Sequence, residues 1–214
     1  MKPLSYITAF LESLYPNICV MCQSSASSLV CLSCQGECAF VAPATVAVTR
    51  TKFLTVHSLF AYHSRFNVLL HAKYYNQRQL LLAQSELFVA YIAQHNLAFD
   101  YIAYVPQHWI KSLQRGGNHM RIIAYGCSGG IPVRDVLQKK HPTSAQAGNA
   151  MRVRKKNVLG SFTVPLQQKP AVTGKRILLF DDVYTSGATL KECAKELYKS
   201  GAAHVIGLTL CRVM

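Results

Sequence analysis

The segment 177–190, ILLFDDVYTSGATL, limits what this chain can fold into more than any other part of the sequence. Four apolar residues indicate a buried strand, and Asp181 and Asp182 follow them. Ligands of open α/β sheets bind at the carboxyl ends of the strands, where these two acids stand. Small residues then form a turn that opens a helix, namely Thr185, Ser186, Gly187, Ala188 and Thr189. The segment therefore predicts an α/β domain with a ligand site at one edge of its sheet.

The residue types in this turn suit a phosphate group. Backbone amides at the N-terminus of a helix point into a shared cavity, at the positive end of the helix dipole. Gly187 allows a close approach because it has no Cβ atom, and the hydroxyl groups of the turn add donors. Two adjacent carboxylates are poor phosphate ligands, so Asp181 and Asp182 favour sugar hydroxyls or a magnesium ion beside the phosphate. The alternative, a plain helix N-cap with solvated acids, requires neither two acids nor five small residues.

This segment resembles the signature by which type I phosphoribosyltransferases bind 5-phosphoribosyl 1-diphosphate (PRPP), an apolar run followed by DD-x-x-[TS]-[TS]-G-x-T. The resemblance implies that the two aspartates contact the ribose hydroxyls, that the turn holds the 5-phosphate, and that Mg²⁺ accompanies PRPP. The PRPP-binding residues it implies are Asp181, Asp182, Val183, Thr185, Ser186, Gly187, Ala188 and Thr189. An active enzyme of this kind would displace pyrophosphate from C1 of PRPP.

The same family has a pyrophosphate loop after an earlier strand, which the resemblance places after the apolar run 101–106. The candidates on this pyrophosphate side are Gln107, His108, Lys111 and Arg115. Arg152 and Arg154 are further cations for the leaving group, although each of these basic residues also fits a solvated surface or a DNA contact. No general base for a nucleobase is evident, so the catalytic residues and the acceptor stay unassigned.

Four of the eight cysteines form two C-x-x-C pairs, Cys19 with Cys22 and Cys31 with Cys34, separated by eight residues. Each such turn brings two thiolates together, and two turns complete the tetrahedral shell of a zinc ion. Four thiolates leave no position open for water, so the zinc is expected to be structural. Cys38 is an alternative fourth ligand, and disulfides are an alternative that conflicts with a reducing compartment. The other cysteines lie in apolar segments and are predicted to be core residues: Cys127, Cys193 and Cys211.

The order of elements predicts a zinc ribbon at residues 1–45 and a phosphoribosyltransferase-like domain at residues 46–214, each with its own core. Apolar spacing predicts strands over 55–62, 100–106, 175–182 and 204–211. It predicts helices over 65–73, 79–95, 121–125 and 187–199, and a partly helical basic stretch over 142–156. Strands that are apolar almost throughout and alternate with helices indicate an α/β fold, a parallel sheet flanked by helices on both faces.

The formal net charge of +14 is concentrated in the middle of the chain. Residues 107–176 contain thirteen Lys and Arg residues but a single acid, Asp135. Such a segment attracts polyanions, either nucleic acid or phosphorylated small molecules. A basic surface without a partner is the alternative, but solubility alone does not require a segment with so large an excess of positive charge.

Neither export nor membrane insertion is expected from the sequence. The chain has no run of about 18 apolar residues, which a membrane span needs. Its apolar first residues are interrupted by Glu12 and lack a small-residue cleavage site. We therefore expect a cytoplasmic protein.

Two further motifs resemble those of the ComF (competence protein F) family, which is linked to DNA uptake in natural transformation. VPQHWIKSLQRGGNH, residues 105–119, resembles the family's V-P-V-P-L-H…R-G-[FY]-N-Q motif. TSAQ, residues 143–146, and the stretch 154–162 resemble its T-x-x-Q…R-x-x-N-x-x-G-x-F block. The N-terminal C-x-x-C pairs are also a family feature, so the resemblance covers essentially the whole chain. The chain departs from the first motif at Gly117, which replaces an aromatic residue, and at His119, which replaces Gln.

The family resemblance and the basic segment together favour a DNA-uptake protein that binds PRPP and single-stranded DNA, with or without phosphoribosyltransferase activity. Other proteins of the uptake machinery are further implied partners. The basic segment supplies the DNA-binding candidates Arg121, Lys139, Lys140, Arg152, Arg154, Lys155 and Lys156. A nucleotide-salvage phosphoribosyltransferase acting on a nucleobase is the alternative, which explains the PRPP motif but neither the cysteine pairs nor the basic segment. A zinc-ribbon adaptor would explain only the cysteines.

Overall fold

The computed structural model describes residues 18–36, 41–62, 69–70, 78–107, 117–140 and 158–213. The strands in these ranges are β1 (Val41–Ala47), β2 (Phe53–Ala61), β3 (Tyr101–Tyr104), β4 (Gln138–Lys139), β5 (Phe162–Thr163), β6 (Arg176–Tyr184) and β7 (His204–Arg212). The helices are α1 (Leu32–Gly36), α2 (Arg78–Gln94), α3 (His119–Gly126), α4 (Lys169–Val172) and α5 (Ala188–Lys199), with a 3-10 turn at Leu166–Gln168. None of these helices is both long and apolar enough to cross a membrane.

The central sheet has five strands in the order β1-β2-β7-β6-β3. β2, β7, β6 and β3 run parallel, whereas β1 is an antiparallel edge strand paired with β2. The predicted α/β class, with a mostly parallel sheet, is therefore confirmed.

Most predicted elements correspond to observed ones. The strands predicted over 55–62, 100–106, 175–182 and 204–211 are β2, β3, β6 and β7, and β6 continues two residues beyond the paired aspartates. The helices predicted over 79–95, 121–125 and 187–199 are α2, α3 and α5. The predicted helix over 65–73 lies largely outside the described residues, and the predicted stretch over 142–156 lies wholly outside them.

Both faces of the sheet are covered. Successive residues of a strand point to opposite faces. Leu178 and Phe180 of β6 pack in one buried cluster with α2, where the rings of Phe180 and Phe88 lie 4.8 Å apart. The intervening residues of β6 pack in a second cluster with Leu190 and Cys193 of α5. Because water reaches neither face, β6 is apolar at successive positions rather than at alternate ones.

The N-terminal cysteine segment packs against the α/β domain. Cys19, Val30 and Cys34 are at most 2% exposed and belong to the same buried cluster as the inner face of α2. The backbone N–H of Leu29 donates to Oε2 of Glu86 in α2, at 3.2 Å. The expectation of two separate cores is wrong, because a segment this short cannot bury its own apolar residues from water. The domain division predicted between residues 45 and 46 lies within β1.

Candidate functional site

The register of the central sheet brings two predicted loops to one edge. Tyr104, the last residue of β3, pairs with Phe180 of β6, one position before the paired aspartates. The N–H of Val105 then donates to the carbonyl oxygen of Phe180 at 2.9 Å. The chain that leaves β3 and carries Gln107 therefore emerges beside Asp181, at the carboxyl ends of the parallel strands. This is the edge at which α/β sheets bind ligands.

An open cleft lies at the junction of β6 and α5. Six of the eight predicted PRPP-binding residues line it: Asp181, Val183, Thr185, Gly187, Ala188 and Thr189. Tyr184 and Leu190 complete the lining, and Asp182 and Ser186 do not take part in it. These six predicted residues thus line one cleft, which has the Asp181 carboxylate and the N-terminus of α5 in its wall.

The N-terminus of α5 offers unpaired backbone donors. Gly187 is the residue before the helix, with φ 69° and ψ 3°, and no described side chain caps the helix there. The first backbone amides of a helix have no partner within the helix itself. With no acid in the first turn of α5, these amides and the helix dipole favour an anion.

Gly187 is required by its conformation and by its neighbour. Its φ of 69° is in the left-handed region, and a Cβ atom would lie 2.7 Å from both Cε2 and the hydroxyl oxygen of Tyr184. We expect Gly187→Ala to lower the free energy of unfolding by more than the roughly 1–2 kcal/mol of left-handed backbone strain. Displacement of Tyr184, which lines the cleft, should also weaken phosphate-ligand binding. Chemical denaturation with and without PRPP measures both effects.

Gly174 provides a matched control for this substitution. Its φ of 71° is nearly the same, but a Cβ atom there would have no neighbour within 4 Å. Gly174 precedes the other end of β6, so Gly174→Ala should carry the backbone strain without affecting the cleft. Equal losses of stability in the two variants, together with unchanged ligand responses, would contradict the role given to Gly187.

The two aspartates are half-buried and held by backbone groups. Oδ1 of Asp181 accepts a hydrogen bond from the N–H of Asp182 at 2.9 Å, and Oδ1 of Asp182 accepts one from the N–H of Val183 at 2.7 Å. A carboxylate oxygen can accept more than one hydrogen bond, so these groups keep capacity for ligand hydroxyls. Asp181 lines the cleft, whereas Oδ2 of Asp182 lies 3.6 Å from Nε2 of His119. The adjacent acids therefore have different surroundings.

His119 joins this site although it is absent from the predicted site residues. It is 9% exposed, begins α3, and its Nδ1 atom is contacted by the side-chain nitrogen of Gln107. Within the described part of the chain, neither Nε2 of His119 nor Oε1 of Gln107 has a hydrogen-bond partner. The one sequence signal for His119 is its place where the ComF motif has Gln. The remaining pyrophosphate-side candidates lie outside the described residues, namely His108, Lys111 and Arg115.

The described DNA-binding candidates fall into two groups. Arg121 on α3 is exposed, with its Nε atom 3.6 Å from Asp135 and its guanidinium 5.1 Å from the ring centre of Tyr125. Lys139 and Lys140 lie on or beside β4, which pairs with β5. The structure does not describe the other candidates, Arg152, Arg154, Lys155 and Lys156.

Lys139 lies on the α5 side of the sheet, where its Nζ atom is 5.4 Å from the ring centre of Phe162, a residue of the same buried cluster as Leu190 and Cys193. Burial raises the pKa of the Cys193 thiol in α5, the negative charge of Asp181 raises it further, and the positive charge of Lys139 opposes them. Lys139 and Asp181 therefore both lie within electrostatic reach of one buried thiol.

The four predicted cysteine ligands form one cluster. All four Sγ atoms lie within 4.8 Å of one another, and those of Cys22 and Cys31 are 3.7 Å apart. A tetrahedral zinc ion with Zn–S bonds of about 2.3 Å separates its sulfur ligands by about 3.8 Å. The cysteines are not joined as disulfides, which need S–S distances of about 2.05 Å. The cluster can therefore hold a metal ion, and Cys38 lies outside the described residues.

The surroundings of the cluster favour thiolates at some positions and oppose them at others. Burial raises the pKa of Cys19, but backbone N–H groups, including that of Cys31 at 3.4 Å, outweigh it and lower the pKa overall. Hydrogen bonds from Ser24 lower the pKa of Cys22 to about 6. Burial raises the pKa of Cys34 far above its ordinary value, and the neighbouring cysteines add to this. A buried thiol of this kind loses its proton when a metal cation binds the sulfur atom.

Comparison with curated proteins gives two sets of relatives. The chain is 30% identical over 118 residues to the DNA utilization protein YhgH of Escherichia coli K12, covering 54% of this chain and 50% of that protein. It is 26% identical over 104 residues to competence protein F of Haemophilus influenzae, and the match covers 47% of this chain and 45% of that protein. The chain is a homologue of competence protein F. The predicted relationship to the ComF family is thereby confirmed, although the chain spans about half the length of these relatives.

Other comparisons add less. No family model matches the chain. Among solved structures, the allosteric regulatory enzyme of purine biosynthesis is similar over 61% of this chain and 26% of its own, with 21% identity and a TM-score of 0.41. Glutamine PRPP amidotransferase from B. subtilis is similar over 60% of this chain and 26% of its own, with 20% identity and a TM-score of 0.42. Both scores are below 0.5, so the α/β assignment of this ComF relative rests on its own sheet.

Proposed function

We propose that this chain binds PRPP at the junction of β6 and α5 and binds single-stranded DNA during DNA uptake. The observation that carries the proposal is the pairing of half-buried carboxylates with a helix N-terminus that no described side chain caps. A phosphorylated sugar needs both kinds of group, since its hydroxyls donate hydrogen bonds and its phosphate accepts them. A plain anion would need only the amides, and a metal cation only the acids.

Each part of the site has a role in this proposal. The backbone amides at the start of α5 donate to the 5-phosphate, and the hydroxyls of Thr185 and Thr189 add donors. Asp181 and Asp182 accept hydrogen bonds from the vicinal ribose hydroxyls. Gln107, which emerges from β3 beside them, is on the side where the diphosphate would extend. Mg²⁺, when bound with PRPP, would neutralise the diphosphate charge.

The cysteine cluster is proposed to hold one structural zinc ion. Its four sulfur atoms lie within 4.8 Å of one another, which is close enough for them to share one ion, and four thiolates leave no position for a reacting water. Two of the four cysteines, Cys19 and Cys34, are buried between the segment and α2. The ion would therefore hold together the segment that packs on the α2 side of the domain.

DNA binding is proposed from the basic segment and from the relatives. The named functions of these relatives are DNA utilization and competence. The thirteen cations of residues 107–176 provide a field that a flexible polyanion can follow. We place this activity in the cytoplasm, together with other proteins of the uptake machinery. No described element has the form of a base-reading helix, so little sequence preference is expected.

DNA affinity should fall steeply with salt. For single strands, the logarithm of the binding constant falls by about 0.7 per logarithmic unit of salt for each phosphate neutralised. We expect charge reversal at Arg152, Arg154, Lys155 and Lys156 to weaken binding and to flatten this slope by up to about 3. Fluorescence anisotropy of labelled oligonucleotides at several salt concentrations measures both quantities.

A matched control has the same change in net charge elsewhere. It reverses four exposed cations outside the basic segment: Arg50, Lys52, Arg78 and Lys191. The control should lose less affinity and keep most of the slope. Equal losses of DNA affinity in both variants would mean that binding depends only on the net charge of the protein. An affinity independent of salt would contradict the electrostatic account.

A test of turnover separates this proposal from the salvage alternative. Wild-type protein is incubated with Mg²⁺ and PRPP and with each of a panel of nucleobases, and pyrophosphate release is followed. Release that depends on one base, combined with no affinity for single-stranded DNA, would favour a nucleotide-salvage enzyme. PRPP binding with DNA binding, whether or not pyrophosphate is released, is the result that the DNA-uptake proposal requires.

A further inference from the structure

His119 lies between two parts of the proposed ligand site. It begins α3, whereas Gln107 follows β3 and Asp182 lies near the end of β6. Its side chain is 10% exposed, and that of Asp182 is 23% exposed. An imidazole buried to this degree is costly unless both ring nitrogens find polar partners.

The orientation of the Gln107 side-chain amide favours one tautomer of the ring. The side-chain nitrogen of Gln107 faces Nδ1 of His119, and an amide nitrogen can only donate. In this orientation Nδ1 accepts the hydrogen bond and Nε2 is the nitrogen that carries the ring proton. Nε2 faces Oδ2 of Asp182 at 3.6 Å, somewhat beyond the 2.7–3.2 Å of an N–H···O hydrogen bond. Within the described residues Nε2 has no hydrogen-bond partner, so a small approach of the two side chains would satisfy a buried donor.

The two oxygens of Asp182 have separate neighbours in this arrangement. Oδ1 accepts from the N–H of Val183 at 2.7 Å, which fixes one end of the carboxylate from its own strand. Oδ2 faces His119, which approaches from a different element. A carboxylate fixed at both oxygens has a defined orientation and still accepts further hydrogen bonds.

We propose that His119 is a positioning residue for Asp182. Its Nε2–H group holds Oδ2, Gln107 fixes the tautomer that makes this possible, and Asp182 thereby presents its remaining lone pairs to a ligand hydroxyl. This inference rests on the proposed PRPP site for the identity of the ligand. The pairing of His119 with Asp182 is a property of the protein without ligand.

Two substitutions at His119 differ in which ring nitrogen they replace. In His119→Gln the side-chain amide nitrogen takes roughly the place of Nε2, so a donor toward Asp182 is kept. In His119→Asn the shorter side chain takes the place of Nδ1 and cannot reach the carboxylate. We expect His119→Asn to weaken Mg²⁺·PRPP binding by at least about tenfold, since a hydrogen bond to a charged group is lost, and His119→Gln to weaken it much less.

Nitrogen-15 NMR of the imidazole provides a test that needs no ligand. The wild-type protein should contain a neutral His119 with its proton on Nε2, and Asp182→Asn should shift the Nε2 resonance more than the Nδ1 resonance. Isothermal titration calorimetry with Mg²⁺·PRPP then compares wild type with the two His119 variants. A proton on Nδ1, or equal PRPP affinities for His119→Asn and His119→Gln, would overturn the positioning role.

The two readouts separate this inference from the function on which it rests. Wild-type protein that does not bind PRPP would refute the proposed ligand, and the NMR result alone would then decide whether His119 pairs with Asp182. Wild-type protein that binds PRPP, with His119→Asn binding equally well, would refute only the inference. Folding of each variant is checked by the same NMR spectra.

Discussion

Replacing Cys34 by Ser should abolish zinc binding and destabilise the entire described fold. Zinc supplies on the order of 10 kcal/mol of apparent folding free energy in small zinc-finger peptides, so its loss here should cost several kcal/mol. Cys34 and Val30 belong to the same buried cluster as α2, so the loss should spread beyond the cysteine segment. Thermal unfolding followed by circular dichroism should show one transition at a lower temperature, and elemental analysis should show about one zinc per wild-type chain.

A buried cysteine outside the cluster is the control for Cys34→Ser. Cys127 is 1% exposed and its Sγ atom lies 3.5 Å from the carbonyl oxygen of Ser85. Cys127→Ser should keep the zinc content and lose only the modest stability expected of a core change. A Cys34→Ser protein that lacks zinc but unfolds at the wild-type temperature would contradict the shared core. Wild-type protein without zinc, or with disulfides between these cysteines, would contradict the metal assignment.

The double substitution Asp181→Asn and Asp182→Asn should remove the stabilisation that PRPP provides. At one hundred times its dissociation constant, a ligand that binds only the folded state adds about 2.7 kcal/mol of stability. For a chain of this size that corresponds to a rise in Tm of roughly 5–10 °C. Both aspartates are only half-buried, so the variant should fold without ligand. Thermal unfolding with Mg²⁺, with and without PRPP, measures the difference.

Asp100 is the matched control acid for this double variant. It lies before β3, at the opposite end of the sheet, where its Oδ1 accepts a hydrogen bond from the guanidinium of Arg176 at 2.9 Å. Hydrogen bonds from Arg176 lower the pKa of Asp100, so this carboxylate is charged at neutral pH. Asp100→Asn should leave the response to PRPP intact. A rise in Tm with PRPP that persists in the Asp181→Asn, Asp182→Asn variant would mean that PRPP binds elsewhere.

Local patterns were sufficient to predict the elements of the fold and one part of the site. The unbroken apolar run before Asp181 predicts a strand covered on both faces, and β6 has Leu178 in one buried cluster and Leu179 in the other. The small residues up to Thr189 predict the turn that opens α5. Two C-x-x-C pairs predict the cysteine cluster, because ligand spacing within a turn is itself local.

Contacts between distant elements could not be predicted in the same way. The packing of Val30 against the α2 side of the sheet depends on where the cysteine segment docks, which no short pattern encodes. The approach of His119 to Asp182 depends on the parallel register of β3 and β6 and on the start of α3. A histidine that replaces another polar residue in a motif gives no indication of its partner.

The most direct test of the central claim is a titration of the ¹⁵N-labelled protein with Mg²⁺·PRPP, followed by NMR of the backbone amides. The account predicts saturable shifts of the amides from Thr185 to Thr189 and of the amides of Asp182 and Val183, because these groups lie at the cleft or donate hydrogen bonds to its acids. The amides at the opposite end of β6, near Arg176, should change little. An absence of saturable shifts, or shifts confined to other parts of the chain, would contradict a phosphoribosyl site at the junction of β6 and α5.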